Sequence, residues 1–185
     1  MEYTSTSGKM IGLVLDLSLR HTPKGERIID VVKRQMVQYV RETIEGEDLF
    51  YLYHPHLLEP TENVGQIVSC IDNYETDGWA FDLESALKVA FYVVSAEDED
   101  MEKKIILITD RLQTPQPVNK LLMLERRDQT GCQIVVVGVG NSYNRTALEA
   151  IGGSVRLIHM DVPVDLCKQL KEKDETRIFG SAAQS

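Results

Sequence analysis

Charged side chains of opposite sign follow two apolar runs of the sequence, residues 10–15 and 105–108. They are Asp16 and Arg20 after the first run, and Asp110 and Arg111 after the second. An arginine guanidinium can neutralise a carboxylate through bidentate hydrogen bonds. The simplest chemistry of these segments is therefore ion pairing, in which Asp16 and Asp110 bind Arg20 or Arg111 and order two loops.

A glycine-containing turn, Gly138-Val139-Gly140, follows another apolar run and precedes a helical pattern. This arrangement is half of the fingerprint that binds dinucleotides, whose glycines let the backbone approach a pyrophosphate. The third glycine position holds Tyr143 instead. A nucleotide-binding enzyme that uses this turn is thus an alternative from a different functional class.

The histidines and nucleophiles of the sequence give weaker signals. His54 and His56 flank Pro55 and could begin a zinc site, with His21 or His159 as a third ligand. Two histidines in a surface turn are, however, more often only part of the turn. No serine, cysteine or histidine lies in a recognisable nucleophile motif, so the sequence gives no support to a hydrolase.

Alternating strand and helix patterns predict the elements that position these loops. Strands are expected over residues 10–15, 49–53, 105–108, 133–137 and 155–158, with a short edge strand at 57–58. Helices are expected over 29–44, 64–71, 82–94, 117–124, 144–151 and 163–170. Asp82 is a candidate N-cap, and the last helix should bury Val164, Cys167 and Leu170. This alternation predicts an α/β fold with a doubly wound, mostly parallel central sheet and helices on both faces, and such sheets bind ligands beyond the carboxyl ends of their strands.

Composition limits the classes of function. The 185 residues carry 29 acidic against 20 basic side chains, a net charge of −9, which argues against nucleic acid as a partner. Neither a membrane-spanning apolar stretch nor a signal peptide is visible, so we expect no membrane insertion. Three widely spaced cysteines are typical of free thiols in an intracellular protein. We expect one domain over residues 8–172 and a polar tail or linker over 173–185.

The succession of these motifs resembles the von Willebrand factor A (vWA) family. In that family the first strand ends in D-x-S-x-S and the fourth in a T-D-G-like turn. Here the corresponding segments read D-L-S-L-R from Asp16 and T-D-R from Thr109. Further matches follow in the family's order at residues 10–16, 80–94, 104–110, 131–140 and 148–153. The resemblance covers most of the chain and implies the three-layer, Rossmann-like vWA fold.

The resemblance also implies a metal-ion-dependent adhesion site (MIDAS), in which oxygen ligands hold Mg²⁺ and a partner's carboxylate occupies an open position. The matching positions are Asp16, Ser18 and Asp110, and Asp82 could supply a further oxygen. Arg20 stands where the motif has its second hydroxyl, and Phe81 where the family usually has threonine. We therefore expect a degenerate site that binds no cofactor or only weak Mg²⁺, with a guanidinium beside the carboxylates in place of the metal.

The function that the resemblance implies is a non-enzymatic protein–protein interaction or scaffold module of an intracellular multiprotein complex. The expected binding surface comprises the loops 16–22, 78–82, 110–114 and 140–144. Candidate contact residues in these loops are Arg20, Trp79, Phe81, Arg111 and Tyr143, although Trp79 could instead pack over the core. The alternative within the same class is an adhesion domain in which Asp16, Ser18, Asp82 and Asp110 hold a functional Mg²⁺.

Overall fold

The computed structural model describes residues 8–53, 59–76, 82–97, 99–111, 131–143 and 157–172, together with positions 125, 128, 129, 145, 146 and 148. Its strands are β1 (Lys9–Asp16), β2 (Leu49–Tyr53), β3 (Glu102–Thr109), β4 (Gln133–Val139) and β5 (Leu157–Met160). The helices among these residues are α1 (Ile28–Thr43), α2 (Val64–Asp72) and α3 (Leu83–Ser95). A 3₁₀ turn over Pro163–Asp165 leads into helical residues 166–172.

The strands form one parallel sheet in the order β2-β1-β3-β4-β5. From β1 the chain first moves outward to β2 and then returns to the other side of β1 to form β3. The direction of winding therefore reverses between β1 and β3. In doubly wound sheets the crevice at such a reversal, outside the carboxyl ends of the two strands, is the usual place for ligands. We refer to the end of the sheet where the carboxyl ends of the strands lie, with the loops that follow them, as the carboxyl edge.

Strand β1 is apolar along nearly its whole length because both of its faces are covered. Ile11, Leu13 and Leu15 pack with α1 and α2 on one side of the sheet. Met10 and Val14 point to the opposite side and pack with α3. Successive side chains of a strand alternate between faces, so a continuous apolar run is what a central parallel strand requires. The result is the three-layer, doubly wound architecture that the sequence predicted.

The structure confirms the predicted strand at 49–53, those at 10–15, 105–108 and 133–137 with a few residues added to each, and the predicted first three helices. The prediction that Val164 is buried is wrong, because the residue is 57% exposed. It lies in the 3₁₀ turn, where Pro163 occupies the inward position, while Cys167 and Leu170 are buried as expected. The predicted edge strand at 57–58 and helix at 117–124 lie outside the described residues, as does most of the helix at 144–151.

All three cysteines are free thiols, with Cys132 and Cys167 buried and Cys70 half-buried. In the part of the chain that the structure describes, no helix has both the length and the apolar character needed to cross a membrane.

Candidate functional site

At the carboxyl edge, a buried pair of side chains from β1 and β3 is joined by a hydrogen bond. Asp16 and Thr109 end their strands and lie directly opposite each other in the parallel register. Both are buried, and the Thr109 hydroxyl donates a hydrogen bond to Asp16 Oδ2 at 3.0 Å. The carboxylate of Asp16 is thus fixed at the point where the winding of the sheet reverses.

Arg111 covers this carboxylate. Its Nε lies 3.2 Å from Asp16 Oδ1, at ion-pair distance but outside good hydrogen-bond alignment. One of its terminal nitrogens donates to the Leu17 carbonyl at 2.8 Å and to the Thr76 hydroxyl at 2.9 Å. The Asp16 side chain is 1% exposed and that of Arg111 is 19% exposed. Arg111 therefore neutralises a buried charge and ties β1 to the segment that follows α2.

Asp110 binds Ser18 with both carboxylate oxygens. Oδ1 accepts a hydrogen bond from the Ser18 backbone N–H and Oδ2 accepts one from the Ser18 hydroxyl, each at 2.8 Å. The Asp110 N–H donates to the Asp16 carbonyl at 3.3 Å. Asp110 is fully buried, so it acts as a clamp between the end of β3 and the loop that leaves β1.

Arg20 occupies a different place from the one that the sequence suggested for it. Its guanidinium donates to the backbone carbonyl of Asp110 at 3.4 Å, and the side chain is exposed. The carboxylate of Asp16 is instead paired with Arg111, the other arginine that the sequence offered. The register explains this choice. Thr109 lies beside Asp16 in the register, so Arg111, two positions later, leaves the strand next to this carboxylate, whereas the guanidinium of Arg20 reaches the backbone carbonyl of Asp110.

Asp82 caps helix α3, as the sequence predicted. Its carboxylate accepts hydrogen bonds from the Ser85 backbone N–H at 3.1 Å and from the Ser85 hydroxyl at 2.7 Å. The hydrogen bond from the Ser85 hydroxyl is the main reason that the pKa of Asp82 lies below its ordinary value. Asp82 thus stabilises the start of its own helix.

Tyr143 packs over the glycine segment at the end of β4. A Cβ atom at Gly138 would lie only 2.3 Å from the Tyr143 ring, so the close packing of this ring requires glycine there. The Tyr143 hydroxyl is hydrogen-bonded to His159 Nδ1, and His159 Nε2 lies 3.2 Å from Asp161 Oδ1. The space above this segment is therefore occupied by an aromatic side chain that is anchored to the end of β5.

The remaining candidates lie outside the described residues. These are Trp79, Phe81, His54 and His56, together with most of the loops 78–82 and 110–114. Within the residues that the structure does describe, no group of three or more histidine, cysteine, aspartate or glutamate side chains is arranged to hold a metal ion.

Sequence reasoning missed the contribution of the segment after α2. The Tyr74 hydroxyl donates to the Leu15 carbonyl at 2.8 Å, and Thr76 accepts the hydrogen bond from Arg111. Thr109, the partner of Asp16, stands out in the sequence only as part of the T-D-R turn. Nothing local in the sequence links Tyr74 or Thr76 to β1, because these contacts depend on how α2 packs on the sheet.

No protein-family model and no curated protein sequence matches this chain. Solved structures do match it. BatB from Bacteroides thetaiotaomicron, described as a conserved hypothetical protein, aligns with a TM-score of 0.72 at 14% identity, over 96% of this chain and 100% of that one. The VWA domain of SpRpn10 aligns with a TM-score of 0.64 at 15% identity, over 87% of this chain and 94% of that one.

A third similar structure is proximal thread matrix protein 1 from the mussel byssus, in a form described as having a zinc-occupied MIDAS motif. It aligns with a TM-score of 0.69 at 15% identity, and the alignment covers 90% of this chain but 47% of that one. Identities at this level establish a shared fold and nothing finer. From its sheet order, its layers and these matches, the chain has the von Willebrand factor A fold.

Proposed function

We propose that this chain is a non-catalytic protein-interaction domain that binds its partner through the loops of the carboxyl edge, and that Arg111 takes the place of a divalent cation beside Asp16. The observation that carries this proposal is the contact of 3.2 Å between Arg111 Nε and Asp16 Oδ1. A guanidinium in this position supplies the positive charge that the buried carboxylate needs.

The donor set, as it is arranged, does not fit a resident Mg²⁺. Mg²⁺ requires about six oxygen ligands in octahedral geometry at about 2.0–2.1 Å, and a neighbouring guanidinium would repel it. Asp16 is already paired with a cation, and both oxygens of Asp110 accept hydrogen bonds from Ser18. Asp82 is engaged by Ser85. The alternative function, Mg²⁺-dependent adhesion, would require Arg111 to leave Asp16.

Exposed apolar side chains support an interaction role for this edge. Among the described residues, the large apolar side chains that are most exposed are Leu19, Tyr92 and Val164. Leu19 follows the carboxyl end of β1, and Val164 follows that of β5. Apolar side chains held in water among polar neighbours are common anchors of protein interfaces.

More specifically, we propose that the chain is a scaffold subunit of an intracellular multiprotein complex. It is supported by the three free thiols, which suit a reducing compartment, and by an edge whose carboxylates are engaged in structural contacts. A scaffold role needs only a stable edge, whereas a catalytic role would need a group held ready for a substrate.

Calorimetric titration of Mg²⁺ and Mn²⁺ tests the role of Arg111. We expect no saturable binding to the wild type, binding to Arg111→Ala, and none to the double variant Asp16→Asn/Arg111→Ala. The double variant is the matched control, because it lacks the guanidinium and also the carboxylate charge. Saturable binding to the wild type that disappears in Asp16→Ala would instead establish the Mg²⁺-dependent alternative.

Site-specific photo-crosslinking tests the interaction role. A benzophenone amino acid at position 19 should cross-link a partner protein in the source cells, and the cross-link should persist in EDTA. The same probe at position 92, on the exposed face of α3, is the control. Equal cross-linking from both positions, or none from position 19, would contradict binding through the carboxyl edge.

A further inference from the structure

The loop between β1 and α1, residues 17–27, is a well-ordered platform. Within it, the Thr22 N–H donates to the Glu26 carbonyl at 2.7 Å, and Thr22 itself is buried. Gly25 completes the turn with a φ of +87°, a conformation that favours glycine. The Arg20 carbonyl accepts a hydrogen bond of 2.9 Å from the first residue of α1. A loop fixed in this way loses little conformational entropy when it binds a partner.

The outer surface of this platform combines an apolar side chain with positive charge. Leu19 is 52% exposed, Arg20 follows it and is exposed, and Lys24 is a further exposed residue of the same loop. The cations that follow along the chain, Arg27, Lys33 and Arg34, form ion pairs with acidic side chains. Among the described residues, Arg20 and Lys24 form no ion pair. Two cations without an acidic partner among the described residues stand out in a chain whose net charge is −9.

The guanidinium of Arg20 is held at the edge of the candidate site. Its hydrogen bond to the Asp110 carbonyl uses one terminal nitrogen. Within the described residues, the other N–H groups of this guanidinium have no hydrogen-bond acceptor. A carboxylate is the group whose geometry matches the guanidinium fork.

We propose that the β1–α1 platform binds an acidic segment of a partner protein in which a carboxylate side chain lies next to a large apolar one. Arg20 and Lys24 pair with the carboxylates, and the apolar side chain covers Leu19. Charge complementarity selects acidic over basic segments. This inference depends on the proposed function, because it specifies the chemistry of the partner that the carboxyl edge would bind.

Selection from a random peptide library displayed on phage tests this chemistry. The baits are the wild type and the platform variant Leu19→Ser/Arg20→Ser/Lys24→Ser. The matched control is Tyr92→Ser/Lys88→Ser/Lys168→Ser, which removes one exposed apolar side chain and two cations elsewhere. We expect the wild type and the control to enrich peptides with aspartate or glutamate beside leucine, isoleucine or phenylalanine. The platform variant should not enrich them.

A synthetic peptide of the enriched consensus then gives the size of the effect. Its Kd, measured by fluorescence anisotropy, should be at least about tenfold weaker for the platform variant than for the control, because charge-assisted hydrogen bonds are lost. The proposal is overturned if the wild type enriches no acidic-apolar peptides, or if the platform variant retains them. Cross-linking from position 19 without such enrichment would leave the interaction function standing and refute only this choice of partner.

Discussion

Replacing Arg111 by alanine tests the central contact of the carboxyl edge. The substitution leaves the charge of Asp16 in a site where its side chain is 1% exposed. It also removes the hydrogen bonds from Arg111 to the Leu17 carbonyl and the Thr76 hydroxyl. We expect a large loss of folding stability, because an uncompensated buried charge is costly to retain.

The structure suggests the magnitude of this loss. Removing one member of a buried ion pair typically costs about 3–5 kcal/mol. We expect about 4 kcal/mol here, because Asp16 keeps its hydrogen bond from Thr109 while two further hydrogen bonds disappear. The double variant Asp16→Asn/Arg111→Ala removes the buried charge as well. It should lose only about 2 kcal/mol, the contribution of the hydrogen bonds that remain broken.

Urea unfolding, followed by circular dichroism, measures these free energies, provided that the dependence on urea concentration is equal among the variants. Mg²⁺ gives a second measurement on the single variant. If alanine opens the site to the cation, Mg²⁺ at one hundred times its Kd should restore about 2.7 kcal/mol. The double variant should not respond to the cation.

Two results would refute this reasoning. A loss below about 1 kcal/mol for Arg111→Ala would mean that the guanidinium does not balance the buried charge. A double variant as unstable as the single one would mean that the cost comes from packing alone. In either case the role of Arg111 as a substitute for a metal ion would have to be abandoned.

Three further predictions concern other parts of the fold. Asp82→Ala should lower stability by about 1 kcal/mol in thermal unfolding through loss of the N-cap, without changing the response to Mg²⁺. Gly138→Ala should cost about 1–3 kcal/mol, because the new Cβ would clash with the Tyr143 ring. Adding Tyr143→Ala should relieve part of that cost in a double-mutant cycle. The hydrogen bond from Lys171 is the main cause that lowers the pKa of Glu42 from 4.5 to about 2. A lowered pKa adds stability above pH 4.5 that is lost as the pH falls toward 2. Lys171→Met should therefore reduce the acid dependence of the melting temperature in this range, and an unchanged dependence would contradict the assigned hydrogen bond.

Much of the fold could be predicted because its signals are local. The apolar run 10–15 identifies a strand that is buried on both faces, and the spacing of apolar residues in 29–44 identifies a helix. The prediction for Val164 is wrong because it rests on α-helical spacing, whereas the chain makes a 3₁₀ turn at Pro163. The pattern of apolar residues gives their number and period, but the local backbone decides which of them point inward.

The site was only partly predictable, since its contacts join distant parts of the chain. Asp16 and Asp110 could be placed at one edge because parallel strands end together. The choice between Arg20 and Arg111 depended on the register of β1 against β3, which the sequence does not state. Tyr74 lies 59 positions from its partner Leu15, and no local pattern reports that contact. Such contacts follow from packing, which local propensity leaves undetermined.

The pairing of β1 with β3 has a consequence for biosynthesis. Asp16 and Thr109 touch although they are 93 positions apart, and Arg111 comes two residues later. While a ribosome is still producing the middle of the domain, β1 can pair with β2 but lacks its other neighbour. The aspartate then has no guanidinium to balance it, and the carboxyl edge is incomplete. Under the proposed function, a partner that recognises this edge would bind only chains that have been synthesised and folded past residue 111, so that binding would itself test whether the domain is complete.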